Sequence, residues 1–299
     1  MLERLQELAG KEHVWADEPM KLHTTFRAGG CAKYLVEPQS AEQLRELMQM
    51  CREADMPYYI VGNGSNLLVS DEGYEGVIIH LFKNMSEARV DGKCLVLQAG
   101  VQLVRAARLA CKEGLTGLEF ASGIPGTVGG ALVMNAGAYG GEMKDIVRSV
   151  KVLTMDGQVR EYTNEEMQFG YRCSRIASEG SVVLEAVLEL ERGDSDQIQA
   201  KMDELKEQRL AKQPLEYGSA GSTFKRPEGY FAGKLIQDAG LRGFSVGDAQ
   251  VSEKHCGFVI NKGNATASEI AELIKEVQRK VLENSGVHLE TEVKFLGNF

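Results

Sequence analysis

The sequence has little proline, no paired cysteine motif and no long apolar run, and each of these absences excludes a class of protein. Proline accounts for only 6 of 299 residues, which leaves no room for long disordered linkers. The six cysteines lack a CxxC or zinc-type spacing, so we expect neither disulfides nor a structural metal. No apolar run approaches the roughly 20 residues of a membrane span, and the N-terminus lacks the apolar centre of a signal peptide. These absences predict a folded cytoplasmic protein without membrane insertion.

Positive charge is also scarce. The chain has 34 Lys and Arg against 43 Asp and Glu, a formal net charge of -9. A protein that binds nucleic acid or an acidic membrane needs a broad cationic surface, so we expect neither partner. Residues 209–262 are an exception, because basic residues outnumber acidic ones there. This local excess of positive charge favours an anionic small-molecule ligand, whereas the sequence does not indicate an oligomeric state.

Helical periodicity is clear in three long stretches. Ser40 with Gln43 and Thr266 with Glu269 match the capping-box pattern, which predicts that a helix starts at each position. A charged stretch over 196–213 has apolar residues at helical spacing, and we expect this helix to carry the chain between two domains. An amphipathic helix is expected at the N-terminus, and another is expected to stop at Gly114.

Short apolar and alternating runs predict strands between these helices. The pair Asp156-Gly157 separates two alternating runs, which is the strongest short signal for a β-hairpin. Further strands are expected over 58–62, 76–81, 94–100, 182–191 and 292–297. The mixture of helices and strands, without an internal repeat, predicts an α+β fold.

The first of two glycine-rich loops, VGNGSNLLVSD at 61–71, follows a predicted strand. It begins like a dinucleotide-binding fingerprint, but Leu67 stands where the third glycine would be and no helix follows. A diphosphate would then be held by successive backbone N–H groups, with the Ser65 hydroxyl and the Asn66 amide, and the glycines would allow its close approach. An ordinary turn between two strands is the alternative.

The second loop, SGIPGTVGGALVMNAGAYGG at 122–141, contains seven glycines in twenty residues. Glycine loses the most backbone entropy on folding, so such a dense cluster has a structural cause. Packing against a planar cofactor is one cause, and tight turns between core strands are the other.

The order of five motifs resembles the UDP-N-acetylenolpyruvoylglucosamine reductase family, the MurB flavoenzymes of peptidoglycan precursor synthesis. The motifs are the two glycine-rich loops, FGYR at 169–172, GSAGSTFKRP with AGKLI at 218–236, and LETEV at 289–293. The resemblance implies an α+β fold with an FAD-binding part of the vanillyl-alcohol-oxidase (PCMH) type in two subdomains and a C-terminal substrate-binding domain. The implied boundaries are 1–80 for the first subdomain, completed by a strand at 292–299, 81–206 for the second, and 207–291 for the substrate domain.

The same resemblance implies the reaction. NADPH reduces FAD, and the flavin transfers hydride to the enolpyruvyl group of a UDP-sugar, giving UDP-N-acetylmuramate. We expect the FAD to be non-covalent, because neither His23 nor His80 lies in a flavin-attachment motif. Hydride addition leaves negative charge on the substrate, and Ser222 matches the family's proton donor. Arg172 matches the arginine that stabilises this charge, and Glu292 matches a catalytic glutamate that orients the proton relay or polarises the substrate.

Further binding residues follow from the matched motifs, and no metal site is expected. The substrate-binding residues implied are Tyr139, Lys212, Lys225 and Arg226, although many family members have asparagine at the last position. Only a short stretch separates Arg172 from the next predicted strand, so the chain resembles the type II form, which lacks an inserted tyrosine-bearing loop. The cofactor-binding residues implied are Gly62, Asn63, Gly64, Ser65, Asn66, Ser122, Gly123, Gly126, Gly129 and Gly130.

Three other functions match parts of the sequence. Ser222 and Lys225 form an S-x-x-K pattern, which is typical of penicillin-recognising acyl-transfer enzymes. The companion SDN and KTG motifs are absent, and Pro227 would break the helix that such a serine requires. A nucleotide-binding module without catalysis, and another FAD-dependent oxidoreductase on the same scaffold, remain as alternatives.

Overall fold

A computed structural model describes all 299 residues and contains eight α-helices and eighteen strands. The helices are α1 Leu2–Ala9, α2 Ala41–Glu53, α3 Leu103–Lys112, α4 Val128–Val133, α5 Arg175–Glu179, α6 Ser195–Lys212, α7 Ala232–Asp238 and α8 Ala267–Ser285. The strands are β1 Val14–Pro19, β2 Cys31–Val36, β3 Tyr58–Val61, β4 Leu67–Val69, β5 Tyr74–His80, β6 Ala88–Asp91, β7 Cys94–Gln98, β8 Leu115–Thr116, β9 Gly137–Ala138, β10 Gly141–Glu142, β11 Val147–Leu153, β12 Val159–Thr163, β13 Val182–Glu189, β14 Glu191–Arg192, β15 Ser245–Val246, β16 Ala249–Val251, β17 Val259–Asn261 and β18 Lys294–Leu296. None of the helices has the length and apolar character needed to cross a membrane.

The chain forms two compact units, each assembled from separate segments. The first unit comprises Met1–Ala16, Tyr34–Asn63 and Gly76–Arg209. The second unit comprises Asp17–Lys33, Gly64–Glu75 and Leu210–Phe299. The threefold division expected from the family resemblance remains a prediction.

The first unit contains a five-stranded antiparallel sheet in the order β12-β11-β13-β7-β6. Its central strands β7 and β13 are largely buried, whereas the edge strands β6 and β12 are mostly exposed or half-buried. Polar residues on the edge strands protect the sheet against pairing with other chains. A four-stranded sheet that is not confined to the residues of the first unit has the order β1-β2-β5-β3, in which β3 and β5 run parallel.

The second unit is built around α8. One face of this helix is buried with α7 and the three-stranded sheet β15-β16-β17, and Ile270, Leu273, Ile274, Val277 and Val281 are each at most 1% exposed. A separate two-stranded parallel pair joins β18 to β4, with Lys294 opposite Leu67. Strand β18 is therefore paired with residues inside the first glycine-rich loop.

Most of the predicted elements are confirmed. The hairpin at Asp156-Gly157 joins β11 to β12, and the reciprocal capping box of Thr266 and Glu269 opens α8. Ser40 caps α2 by accepting from the Gln43 N–H, but the Gln43 side chain accepts from the backbone of Gln39 instead of completing a box.

Helix α4 was not predicted, because it lies inside the second glycine-rich loop. Its cap is Thr127, whose hydroxyl accepts from the Gly130 N–H at 3.4 Å. Position 129 of this helix favours glycine, because a Cβ there would approach the Ala99 side chain to 3.0 Å. Close helix–strand packing therefore accounts for part of the glycine content of the loop.

Asp71 closes the N-terminus of α8 from a distant part of the chain. Its two carboxylate oxygens accept from the N–H groups of Ala267 and Ser268, each at 2.8 Å. Burial alone would raise the pKa of Asp71, but the hydrogen bonds from Ser268 and Ala267 outweigh it and lower the pKa below the usual value. A negative charge at a helix N-terminus is also favoured by the helix dipole.

We expect Asp71→Asn to lower stability at neutral pH by about 1 kcal/mol, since Asn keeps only one of the two acceptors. A carboxyl group with a lowered folded pKa stabilises fully above its unfolded pKa of about 3.9, and this contribution is lost as the pH falls through the folded value. Urea-unfolding midpoints of variant and wild type should therefore differ at pH 7 and converge as the pH falls below the folded pKa of Asp71. The exposed neighbour Glu72 provides the control, because Glu72→Gln should shift neither midpoint. A pH-independent difference for Asp71→Asn would contradict the explanation.

Candidate active site

The first glycine-rich loop is packed tightly against other protein atoms. A Cβ at Gly62 would overlap the Thr127 hydroxyl, and one at Gly64 would overlap the His23 carbonyl oxygen. Gly64 also has a φ of 57°, which residues other than glycine rarely adopt. These two glycines are therefore needed by contacts within the protein, whatever ligand the loop binds.

The same loop offers unpaired backbone donors. The N–H groups of Asn63, Gly64 and Ser65 donate to no acceptor in the protein, and neither does the Ser65 hydroxyl. Successive N–H groups of this kind form concavities that bind anions such as a diphosphate. The side-chain amides have another role, since Asn63 donates to the Pro125 carbonyl at 2.6 Å and Asn66 to the Glu292 carbonyl at 3.0 Å.

Thr25 provides a further unpaired polar atom beside this loop. Its Oγ1 is buried and has no hydrogen-bond partner, while its backbone N–H donates to the Gly64 carbonyl at 3.3 Å. A buried hydroxyl without a partner costs free energy, so most such groups in proteins are paired. The unpaired N–H groups and this hydroxyl fit a loop that accepts an anionic nucleotide such as FAD.

The residues predicted from the second loop have different surroundings. Gly123 is exposed, and Nη1 of Arg209 occupies the space that a side chain at this position would need. Gly130 faces open space beyond its contact with the Thr127 hydroxyl, and the Gly126 carbonyl accepts from the Leu103 N–H. Ser122 is half-buried at the end of a 3₁₀ turn. The loop thus combines protein packing at Gly123 and Gly129 with accessible backbone at Gly130.

Arg172 lies at the tip of a tight turn. The backbone groups of Gly170 and Cys173 bond to each other in both directions, which leaves Tyr171 and Arg172 between them. The guanidinium carbon of Arg172 is 5.2 Å from the centre of the Tyr171 ring. Its φ of 56° is unusual for arginine, and such backbone strain is common at functional sites.

Asn135 holds the base of this turn. The residue is fully buried, and its Nδ2 donates to the Gly170 carbonyl at 3.1 Å and to Glu142 Oε2 at 2.6 Å. Its Oδ1 accepts from the Lys144 N–H at 2.9 Å. Asn135 therefore joins the turn that carries Arg172 to the loop that carries Tyr139. Sequence reasoning missed it, and its only signal was an asparagine within a glycine-rich run.

We expect Asn135→Asp to lower stability by about 2 to 4 kcal/mol, because it places a second carboxylate beside Glu142 and removes the donor to Gly170. Adding Glu142→Gln should recover part of this loss, since Gln can donate to the new carboxylate. The recovery should be incomplete, because the Gly170 carbonyl stays without its donor. Urea unfolding of the single and double variants measures both effects, and an unchanged midpoint in Asn135→Asp would show that the buried bonds contribute nothing.

Ser222 and Glu292 lie on neighbouring segments of the second unit. Thr223, directly after the serine, is fully buried; its carbonyl accepts from the Glu292 N–H at 2.8 Å. Phe224 forms a β-bridge with Thr291, which extends this pairing. Gly221 has a φ of 74°, so a glycine is needed just before the serine. The Ser222 side chain is exposed, and its segment is not helical, which excludes the acyl-transfer interpretation of the S-x-x-K pattern.

The predicted substrate-binding cations differ in their partners. Lys212 is exposed, whereas Lys225 Nζ lies 2.9 Å from Glu290 Oε2, and this pairing lowers the pKa of Glu290. The Arg226 guanidinium lies 4.0 Å from the centre of the exposed Phe231 ring, and its Nε donates to the Tyr230 carbonyl. A bound diphosphate would have to compete with Glu290 for Lys225.

Tyr139 is 40% exposed and has a φ of 53° in the turn between β9 and β10. Its ring lies 5.3 Å from the guanidinium carbon of Arg209, a residue that sequence reasoning did not select. Arg209 is the last residue of the first unit and is only 6% exposed. The sequence did not indicate this burial, because Arg209 lies in a helical stretch rich in charged residues.

Comparisons with known proteins match both parts of the chain. A family model described as UDP-N-acetylenolpyruvoylglucosamine reductase, C-terminal domain, matches residues 213–296, and one described as FAD binding domain matches residues 32–163. A curated UDP-N-acetylenolpyruvoylglucosamine reductase of Clostridioides difficile is 51% identical, covering 98% of this chain and 96% of the relative. One from Geobacillus thermodenitrificans is 50% identical, covering 99% and 97%. The chain belongs to the UDP-N-acetylenolpyruvoylglucosamine reductase family.

A solved structure of the reductase family supports the same conclusion. The crystal structure of the enzyme named MurB from Thermus caldophilus has a TM-score of 0.81 to this chain at 37% identity, and it covers 95% of this chain and 98% of its own. The α+β class and the FAD-binding fold predicted from the five motifs are thereby confirmed.

Proposed function

We propose that this chain is an FAD-dependent oxidoreductase that uses NADPH to reduce the enolpyruvyl group of UDP-N-acetylglucosamine enolpyruvate to the lactyl ether of UDP-N-acetylmuramate. The similarity of the whole chain to reductases of this name carries the proposal. The reaction belongs to peptidoglycan precursor synthesis, and its reactants are small molecules of the cytoplasm, where we place the protein. FAD, when bound, would supply the hydride-transfer chemistry between NADPH and the substrate.

Several groups of the chain suit the binding of FAD without a covalent bond. The unpaired N–H groups of Asn63, Gly64 and Ser65 would bind the diphosphate, together with the Ser65 hydroxyl. Asn63 and Asn66 would hold the loop in place through their bonds to backbone carbonyls. The accessible backbone around Gly126 and Gly130, with Ser122, would form the other side of the cofactor site.

The proton that completes the reduction comes from Ser222. Hydride added to the terminal carbon of the enolpyruvyl double bond leaves an electron pair on the neighbouring carbon, which must then take up a proton. The Ser222 hydroxyl donates that proton, so it needs no histidine to deprotonate it. The paired backbone of residues 223–225 and 290–292 supports this role, because it fixes the position of the serine next to the segment of Glu292. Glu292 orients the proton relay or polarises the substrate.

Arg172 stabilises the negative charge that develops on the substrate carboxylate before the proton arrives. A planar guanidinium binds a carboxylate through two parallel hydrogen bonds, and a fixed donor is most effective where charge develops. Lys212, Lys225 and Arg226 bind the substrate diphosphate, and Tyr139 contacts the same substrate. The excess of positive charge in residues 209–262 supports this division of roles.

A visible spectrum recorded before and after reduction tests the proposal. The purified protein should be yellow, should release FAD on acid denaturation, and should lose its visible flavin band on anaerobic addition of NADPH. Addition of UDP-N-acetylglucosamine enolpyruvate should then restore the band. If dioxygen restored it rapidly and the UDP-sugar did not, the protein would be another FAD-dependent oxidoreductase on the same scaffold. A band that did not respond to NADPH would indicate a binding module.

A further inference from the structure

Arg209 is a buried cation without an acidic partner. It is only 6% exposed, its guanidinium lies beside the ring and hydroxyl of Tyr139, and its Nη1 fills the space next to Gly123. Arg175, in the same unit, also stacks on a tyrosine, 4.3 Å from the ring of Tyr162, but it pairs with Glu179 at 2.7 Å. The Arg175 side chain is 28% exposed and has a carboxylate partner, whereas Arg209 is buried and no carboxylate compensates its charge.

Burying such a charge is unfavourable. Burial lowers the pKa of Arg209, and the Tyr139 hydroxyl beside it only partly opposes this effect. The guanidinium nevertheless stays protonated near neutral pH, because arginine is the most basic of the side chains. An uncompensated charge removed from water destabilises the folded chain. A ligand that places a negative oxygen beside this charge would remove the penalty, which would strengthen its binding.

The neighbours of Arg209 indicate which ligand this is. Gly123, one of the predicted cofactor-binding residues, lies within residues 32–163, which match the FAD-binding family. Arg209 itself lies between the two matched ranges, so neither family model includes it. The cations proposed for the substrate diphosphate, Lys212, Lys225 and Arg226, all belong to the second unit, whereas Arg209 belongs to the first. The absence of a side chain at Gly123 leaves the guanidinium at the surface of the second glycine-rich loop.

We propose that Arg209 is a cofactor-binding residue whose guanidinium compensates a negative oxygen of bound FAD. This inference rests on the FAD requirement of the proposed function. The planar fork of arginine donates to two oxygens at once, which suits a phosphate or another anionic oxygen of the nucleotide. Tyr139 and Gly123 fix the orientation of the fork before the ligand arrives.

Arg209→Met tests this role through the apoprotein and its titration with FAD. The variant should bind FAD about 10- to 100-fold more weakly, measured by quenching of flavin fluorescence, because a hydrogen bond to a charged group is lost. Its apoprotein should melt at the same or a higher temperature than wild-type apoprotein, because an uncompensated charge has been removed. The rise in melting temperature caused by FAD should therefore be smaller. Arg209→Lys should give an intermediate affinity, since it keeps the charge without the fork.

Arg175→Met is the matched control, because it removes a stacked arginine of the same unit that already has a carboxylate partner. It should leave the affinity for FAD unchanged. An apoprotein of Arg209→Met that melts lower while binding FAD normally would overturn the proposal and make Arg209 a structural residue. Normal FAD affinity with weakened binding of UDP-N-acetylglucosamine enolpyruvate, in either Arg209 variant, would assign the cation to the substrate and also overturn it. If the wild-type protein itself failed to bind FAD, the proposed function would fail rather than the role of Arg209.

Discussion

Replacing Ser222 with alanine is expected to leave FAD binding and reduction by NADPH nearly unchanged, while reoxidation by UDP-N-acetylglucosamine enolpyruvate slows by about 10²- to 10⁴-fold. The reason is that the hydroxyl acts only after hydride reaches the substrate, when the neighbouring carbon needs a proton. Substrate affinity should change little, because the exposed hydroxyl contributes proton transfer rather than binding energy. Anaerobic stopped-flow absorbance of the flavin band measures the two half-reactions separately.

Two further variants sharpen this test. Ser222→Cys should recover part of the second half-reaction, since a thiol can also donate a proton. Ser219→Ala is the control, because this serine lies in the same segment, where its backbone N–H bonds to the Thr25 carbonyl. Loss of NADPH reduction in Ser222→Ala, or wild-type rates in both half-reactions, would show that Ser222 is not the proton donor.

Arg172→Lys is expected to slow the same second half-reaction by about 10²- to 10³-fold, which is the usual effect of removing one fixed donor from developing charge. Lysine keeps the positive charge but has no planar fork, so it does not bind both carboxylate oxygens in the orientation that the turn imposes on arginine. Reduction of the flavin by NADPH should be affected much less. Single-turnover reoxidation at saturating UDP-sugar measures the loss in the chemical step.

The control for Arg172→Lys is Arg160→Lys on the exposed edge strand β12, where the guanidinium bonds only to the neighbouring Gln158 side chain. This exchange should change neither half-reaction. Near-wild-type turnover in Arg172→Lys would show that the guanidinium does not stabilise charge on the substrate. The positive φ of Arg172 would then reflect only the geometry of the turn.

The elements that the sequence predicted correctly depend on neighbouring residues. The capping box of Thr266 and Glu269 and the turn at Asp156-Gly157 each act within three or four positions, so their signals are complete in a short window. Helix α4 was missed because glycine is a poor helix former. The close packing of position 129 against Ala99, which explains the glycine there, becomes visible only in the structure.

The candidate site was predictable only in part, for the same physical reason. Ser222, Arg172 and Glu292 were found through motifs, but Asn135 and Arg209 act through burial and through partners far away in the sequence. The residue type alone does not show whether a polar side chain is buried among bonding partners or exposed to solvent. Likewise, the glycines of the first loop indicated a close approach, and the structure shows that Thr127 and His23 make it.

The parallel pairing of β18 with β4 has a consequence for the order of folding. The bond from Asn66 to Glu292 spans 226 residues, and the one from Ser70 to Asn298 spans 228. Contacts between such distant positions form late, since the entropy of closing the loop must be paid before they stabilise anything. A chain that emerges from the ribosome N-terminus first therefore lacks these two bonds of the nucleotide loop until residues 292–298 have been made. Tight cofactor binding should accordingly be among the last properties that the newly made protein acquires.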